Sequence, residues 1–210
     1  MSLPPRFNFA EHLFALNRER AARTAYVDDR GTLSYGQLEE RARRLAAALK
    51  AAGIRREERV LLLMLDGNDW PVSFLGCLYA GIVPVAVNTL LTPDDYAYML
   101  DHSRAQAALV SGALLPVLQE AMARGGHELH TLLVSQPAGA LPEGARDFEA
   151  ALAAAEPLAA PALTASDDPG FWLYSSGSTG KPKGTVHTQA NLWWTAELYG
   201  KPVLLSLIHI

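Results

Sequence analysis

The chain has 210 residues, half of them apolar, which is enough for one sizeable core or for one domain and part of another. Its 18 basic and 22 acidic residues form no basic stripe, which argues against a nucleic-acid partner. A single cysteine, Cys77, rules out an internal disulfide framework and reads as a buried thiol in a reducing, intracellular setting, the cytoplasm.

Met1-Ser2-Leu3-Pro4-Pro5 leads into mixed polar and apolar residues, so no secretory signal is expected. Phe9 to Asn17 suits a short helix with Phe9, Leu13 and Leu16 on one side. Ala25 to Asp28 and Thr32 to Leu33 read as two strands around a turn at Arg30-Gly31. Ser34 with Gln37 forms a capping box, and Leu38, Ala42, Leu45 and Leu49 recur at helical spacing, so a helix is expected from Tyr35 to about Ala52, with Gly53 as its C-terminal cap. Val60 to Met64 looks like a core strand, Asp69 to Ala80 a helix, and Val83 to Val87 the next strand. The most apolar stretch, Phe74 to Val87, is too short to span a bilayer and is interrupted by Gly81 and Pro84.

Thr92 and Asp95 make a second capping box before a helix whose apolar face is Tyr96, Met99 and Leu100. Ala107 to Val110 is expected as a strand, Leu114 to Met122 as a helix and Leu129 to Val134 as a strand. Pro137 to Pro142 is a loop, Phe148 to Ala155 a helix, and Glu156 to Pro169 a linker-like segment with Asp167-Asp168 side by side. Phe171 to Tyr174 is a strand, and Gln189 to Tyr199 a helix. The repeated strand-helix-strand order predicts an α/β fold with a mostly parallel sheet. Leu204 to Ile210 is an apolar ending with no closing polar segment, and residues 205–210 read as an anomalous or truncated tail.

Between the strand at Phe171 and the helix at Gln189 lies Tyr174-Ser175-Ser176-Gly177-Ser178-Thr179-Gly180-Lys181-Pro182-Lys183-Gly184. Gly177, Gly180 and Gly184 let the backbone turn tightly and approach an anion, and successive amides in such a turn form an anion-binding nest. Ser175, Ser176, Ser178 and Thr179 supply hydroxyls, Lys181 and Lys183 positive charge, and Pro182 limits backbone freedom between them. Such a mixture grips a polyphosphate while charge develops on a leaving pyrophosphate. It is not a Walker A loop, because Pro182 follows Lys181 where that loop needs serine or threonine. From residue content alone, a flexible surface loop is the competing reading.

In its order, the segment resembles the signature of the adenylate-forming enzymes, a superfamily of acyl- and aryl-CoA ligases, peptide-synthetase adenylation domains and luciferases. Every position of the pattern aromatic-Ser-Ser-Gly-Ser-Thr-Gly-x-Pro-Lys-Gly is met. Leu33-Ser34-Tyr35 and Gly76-Cys77-Leu78-Tyr79-Ala80-Gly81-Ile82-Val83-Pro84-Val85 resemble two further segments of the superfamily. Within it, the likeness runs to the benzoate- and hydroxybenzoate-CoA ligases through Pro84 to Thr92, Asp94 to Leu100 and Asn191 to Tyr199. Where relatives usually carry a second histidine, this chain has Gln189, which hydrogen-bonds but does not titrate.

The resemblance implies part of the large N-terminal domain, residues 1–204, with no small C-terminal domain in the chain. It implies activation of a small aromatic carboxylate by ATP to an acyl-adenylate, then transfer to the thiol of coenzyme A. Mg2+ accompanies ATP. Ser175, Ser176, Gly177, Ser178, Thr179, Gly180 and Lys183 would surround the β and γ phosphates, with Thr179 the foremost hydroxyl contact and Gly184 closing the signature. Lys181 stands at the variable position and is expected as an exposed auxiliary charge. No catalytic residue is assigned, and the chain is expected to be inactive by itself. The alternatives are a ligase for another acid and a non-catalytic nucleotide-binding module.

His187 is open to a ligand-facing or a structural role. His12, His102, His127, His130 and His209 show no metal-ligand spacing, so no protein-held metal is expected. Trp193 and Trp194 suit a ligand wall or, at least as readily, core packing. No membrane partner is expected, and a homo-oligomer of the full-length protein is compatible with the sequence.

Overall fold

The computed structural model describes residues 3–175 and 180–204. Helix α1 spans Phe9–Asn17, and strands β1 (Thr24–Asp28) and β2 (Gly31–Ser34) pair as an antiparallel hairpin. Helix α2 covers Tyr35–Ala51 because both halves of its capping box close: Gln37 N donates to Ser34 Oγ at 3.2 Å, and Ser34 N to Gln37 Oε1 at 2.8 Å. Its buried face is the expected one, Leu38, Ala42, Leu45 and Leu49. Each fully buried leucine contributes about 1.5–3 kcal/mol of transfer free energy. The face packs on helix α3 (Asp69–Tyr79), and a Cβ at Gly76 would stand 2.8 Å from the Ala42 carbonyl oxygen, so the two helices approach where α3 has no side chain.

The central sheet holds β3 (Arg59–Leu63), β4 (Val83–Ala86), β5 (Ala107–Ser111), β6 (Thr131–Ser135), β7 (Ala145–Asp147), β8 (Pro169–Ser175) and β9 (Lys183–Thr188), in the order β7-β6-β5-β3-β4-β8-β9. All neighbours are parallel except β8 and β9. Side chains alternate across β3. Val60 and Leu62 join the core under α1, α2, α3 and helix α6 (Phe148–Ala153), while Leu61 and Leu63 join the core under α4 (Pro93–Ser103) and α5 (Leu115–Ala123). Cover on both faces is what a parallel sheet needs, and it explains the continuous apolar runs of its strands. The expected α/β architecture, with strand-helix repeats and a mostly parallel sheet, is the one observed.

Some expectations change. Helix α1 buries Ala10, Phe14 and Asn17, and Leu16 is 61% exposed, because the face that meets α3 is set by Phe14 packing on Tyr79. Strand β7 was hidden by its brevity and by Arg146 at its centre. Strand β9 begins within the loop signature, at Lys183, and runs past its end to Thr188. Helix α6 stops two residues early, and the last expected helix is α7 (Gln189–Thr195) continued by a wider π turn over Ala196–Gly200. The segment from Glu156 is no free linker. Leu158 N donates to Arg43 O, Ala162 N to Tyr79 O, and Thr164 exchanges bonds with Phe7 through its backbone and its hydroxyl. Residues 205–210 lie outside the described residues.

Candidate nucleotide-phosphate site

Strand β8 carries the chain to the carboxyl edge of the sheet, and β9 returns it antiparallel, with Ser175 opposite Lys183 as the last pair. Ser176, Gly177, Ser178 and Thr179 lie outside the described residues. Gly180, where the description resumes, has φ +109°, a backbone that only glycine adopts without strain, and a Cβ there would meet nothing within 4 Å. Ser175, Gly180, Lys181 and Lys183 are exposed, while Pro182 and Gly184 are half-buried. The hairpin thus presents two lysines and a hydroxyl at the sheet edge where open α/β sheets bind ligands.

Helix α4 stands beside this hairpin. His102 Nδ1 and Tyr174 Oη are 2.8 Å apart, and the imidazole tautomer decides which of the two donates the hydrogen bond. Burial, then the neighbouring Tyr98, pushes the Tyr174 phenol well above its ordinary pKa, so it stays protonated. Lys181 Nζ lies 4.9 Å from the centroid of the Tyr98 ring, and Tyr98 stacks on His102 at 5.3 Å. A Cβ at Gly184 would meet His102, Trp172 and Tyr174 at 3.5–3.6 Å, ordinary van der Waals contact, so the glycine faces the same aromatic group across a methyl-sized space. Lys181 is exposed, as expected, and has the Tyr98 ring as a partner that the sequence did not announce.

His187 stacks face to face on Phe171, 4.5 Å between centroids and 7° between planes, which puts it against the sheet. Thr188 opens α7 by donating from N and Oγ1 to Asn191 Oδ1 at 2.8 and 2.6 Å. Gln189 is fully buried. Its Oε1 accepts from Phe9 N at 3.0 Å, and its Nε2 has no hydrogen-bond partner among the described residues. Trp193 and Trp194 meet edge to face at 4.6 Å, but Trp194 is 39% exposed and neither joins a core cluster, since α7 turns Gln189, Ala190 and Leu192 inward instead. Asp168 holds the turn into β8: its Oδ2 accepts from Ala165 N at 2.8 Å and pairs with Arg56. Among the described residues, no group of three or more His, Cys, Asp or Glu is placed to hold a metal. Among them also, no helix is long and apolar enough to cross a membrane.

The same sheet edge has a second feature. The chain leaving β3, β5 and β6 surrounds a cavity of about 220 Å³, whose lining includes Arg30, Asp66, Asp69, Ser111, Ser135 and Gln136. Strand β3 is followed by a crossover to one side and β5 by one to the other, which makes this the topological switch point. Asp69, with a side chain 4% exposed, accepts from Arg30 Nη2 at 2.7 Å, Arg41 Nη2 at 2.9 Å and Ser135 Oγ at 2.7 Å. Gly112 is required here, because a Cβ would fall 2.1 Å from the Gln136 carbonyl oxygen.

Residues 13–207 match the family model described as AMP-binding enzyme. The chain belongs to that family. Among AMP-binding enzymes it is 42% identical over 213 residues to a benzoate–CoA ligase of Thauera aromatica, covering 97% of this chain and 38% of the relative. A solved benzoate CoA ligase from Burkholderia xenovorans LB400 superposes with a TM-score of 0.85 at 56% identity, over 94% of this chain and 38% of that one. An anthranilate CoA ligase solved in complex with anthranoyl-AMP superposes with a TM-score of 0.89 at 31% identity, over 96% and 38% of the two chains. The chain thus spans 38% of the length of these AMP-binding relatives.

Of the residues expected at the site, the structure places Ser175, Gly180, Lys181, Lys183 and Gly184 on one hairpin. Tyr98 and His102 were missed. Their spacing of one helical turn gives them a common face, but nothing in the sequence says that this face meets Tyr174, 72 residues after His102.

Proposed function

We propose that the protein of which these residues are a part activates an aromatic carboxylic acid, benzoate or a hydroxybenzoate, with ATP. The carboxylate attacks the α phosphate, forming an acyl-adenylate and releasing pyrophosphate. The thiol of coenzyme A then displaces AMP and leaves the thioester. The observation that carries this reading is the complete loop signature on the β8–β9 hairpin, in a chain 42% identical to a benzoate–CoA ligase.

Ser175, Ser176, Gly177, Ser178, Thr179, Gly180 and Lys183 line the β and γ phosphates, with Lys181 as an outer charge and Gly184 closing the turn. The donor set suits a polyphosphate: hydroxyls, amides freed by glycine, and two ammonium groups, with Gly180 already in a left-handed backbone. Mg2+ is brought by ATP, whose phosphate oxygens are hard ligands of the kind it prefers. Fixed donors stabilise charge on the departing pyrophosphate without reorganising.

Residues 1–204 serve as the front part of the large nucleotide-binding domain. By themselves the 210 residues form no thioester, since the matched region is 38% of the relatives' length. The lone buried thiol at Cys77 suits a cytoplasmic setting.

The test is pyrophosphate release by the complete gene product, offered benzoate, hydroxybenzoates, anthranilate and aliphatic acids in turn with ATP and Mg2+. Release with aromatic acids, followed by a coenzyme A thioester of matching mass, is expected. Release with aliphatic acids alone would transfer the protein to another substrate class, and no ATP dependence with any acid would remove it from this chemistry.

A further inference from the structure

We propose that Tyr98 and His102 of α4 are positioning residues for the phosphate loop, fastening both of its limbs from outside the loop signature. The proposal rests on reading that loop as the ATP phosphate site.

Three contacts support it. The incoming limb is held where Tyr174 Oη meets His102 Nδ1 at 2.8 Å. The outgoing limb is held where Lys181 Nζ sits over the Tyr98 ring, 4.9 Å from its centroid. Tyr98 and His102 stack on each other at 5.3 Å, one helical turn apart, so the two holds share one rigid support. Helix α4 is itself anchored: Tyr96, Met99 and Leu100 are buried, and the Thr92–Asp95 box fixes its first turn.

Fixing a residue's backbone costs conformational entropy, and a limb held in advance has less to lose when a ligand binds. Contacts that fix the loop's limbs beforehand raise the fraction of molecules ready to bind, and apparent affinity rises in proportion. Neither Tyr98 nor His102 need touch the nucleotide for this. Lys181 gains a defined position from Tyr98, which keeps its charge beside the loop. The effect therefore falls on ATP affinity and leaves the rate at saturating ATP nearly untouched.

The experiment uses the complete gene product and the variants Tyr98→Leu, His102→Leu, both together, Tyr98→Phe and Tyr174→Phe. Two readings are taken: hydrogen exchange of the peptide spanning residues 174–184 without nucleotide, and the ATP dependence of pyrophosphate release. An exposed cation–π contact and a single hydrogen bond correspond to about threefold each in KM for ATP and roughly tenfold for the double variant, with kcat within about twofold. Exchange should quicken in step, and Tyr98→Phe, which keeps the ring, should behave as wild type.

Unchanged exchange and unchanged KM in the double variant overturn the proposal and leave the ATP site standing. A fall in kcat at constant KM overturns it too. If wild type shows no ATP affinity, the loop reading fails and the positioning role with it. Should the leucine variants not fold, Tyr174→Phe, which deletes only a hydroxyl, decides alone: no change in either reading ends the proposal.

Discussion

Replacing Asp69 by alanine tests a buried carboxylate shared by two arginines and a serine. Its carboxylate, 4% exposed, accepts from Arg30 at 2.7 Å, Arg41 at 2.9 Å and Ser135 at 2.7 Å, and so joins the β1–β2 hairpin, α2 and the end of β6 to the first turn of α3. Bonds to a charged acceptor contribute about 1.5–3 kcal/mol each, which sets a ceiling rather than a sum. Arg30 is 43% exposed and recovers water, and Arg41 keeps Glu149 at 2.6 Å, so both losses are discounted. We expect Asp69→Ala to cost about 2–4 kcal/mol, near the lower end for breaking a buried pair. Asp69→Asn keeps the shape and one acceptor oxygen and should cost roughly half as much, and Ser135→Ala about 1 kcal/mol. Urea unfolding of the chain, with midpoints compared at constant m, reads all three. A cost for Asp69→Ala below about 1 kcal/mol, or one no larger than that of Ser135→Ala, would show that the arginines do not depend on this carboxylate.

Gly180→Ala must force a side chain onto φ +109°, at roughly 1–2 kcal/mol of backbone strain, and should weaken ATP binding about tenfold. Gly53→Ala, at φ +88° in open space far along the chain, should lower stability by about 1 kcal/mol and leave ATP binding alone; calorimetry with ATP separates the two. Burial pushes the Cys77 thiol well above its ordinary pKa, so iodoacetamide at pH 8 should not label the native chain and should label it as urea unfolds it. The Thr92 hydroxyl, then the Thr92 N–H, holds the Asp95 carboxylate below its ordinary pKa. The folded value is the lower one, so the contribution of this cap is complete above the ordinary carboxylate pKa and disappears as pH falls through the folded value. Thr92→Val should move the Asp95 titration upward in an NMR pH series, and an unmoved midpoint would assign the depression elsewhere.

The parts of this molecule that could be read from its sequence are those whose cause is local. Both expected capping boxes closed, because a hydroxyl and a carboxylate or carboxamide three residues apart need nothing else. The strands β3 to β6 announced themselves as apolar runs because both of their faces are covered. The loop signature was legible as a pattern of glycine, hydroxyl and ammonium. What escaped depends on partners distant in the chain. Strand β9 forms because β8 is beside it, and β7 because β6 offers an edge. Leu16 shared a helical stripe with Phe9 and Leu13, yet the docking angle set by Phe14 on Tyr79 left it in water. Trp193 and Trp194 suited a ligand wall or, at least as readily, core packing, and the core reading fails because α7 directs Gln189 and Ala190 inward. His102 carries no motif and Tyr98 lies in the Asp94 to Leu100 likeness with no role attached, and their contacts with Tyr174 and Lys181 exist only once α4 lies against β8.

The earliest residues of the chain find their partners late. Arg6 bridges Ala165, Phe7 exchanges bonds with Thr164, and Phe9 N donates to Gln189, across 180 positions. On a ribosome adding about 5–20 residues each second, α1 waits roughly ten to thirty-five seconds before the side chain that receives it has been made. For most of that interval Phe7 lacks its Thr164 partner, while Phe14 has Tyr79 to pack on far earlier.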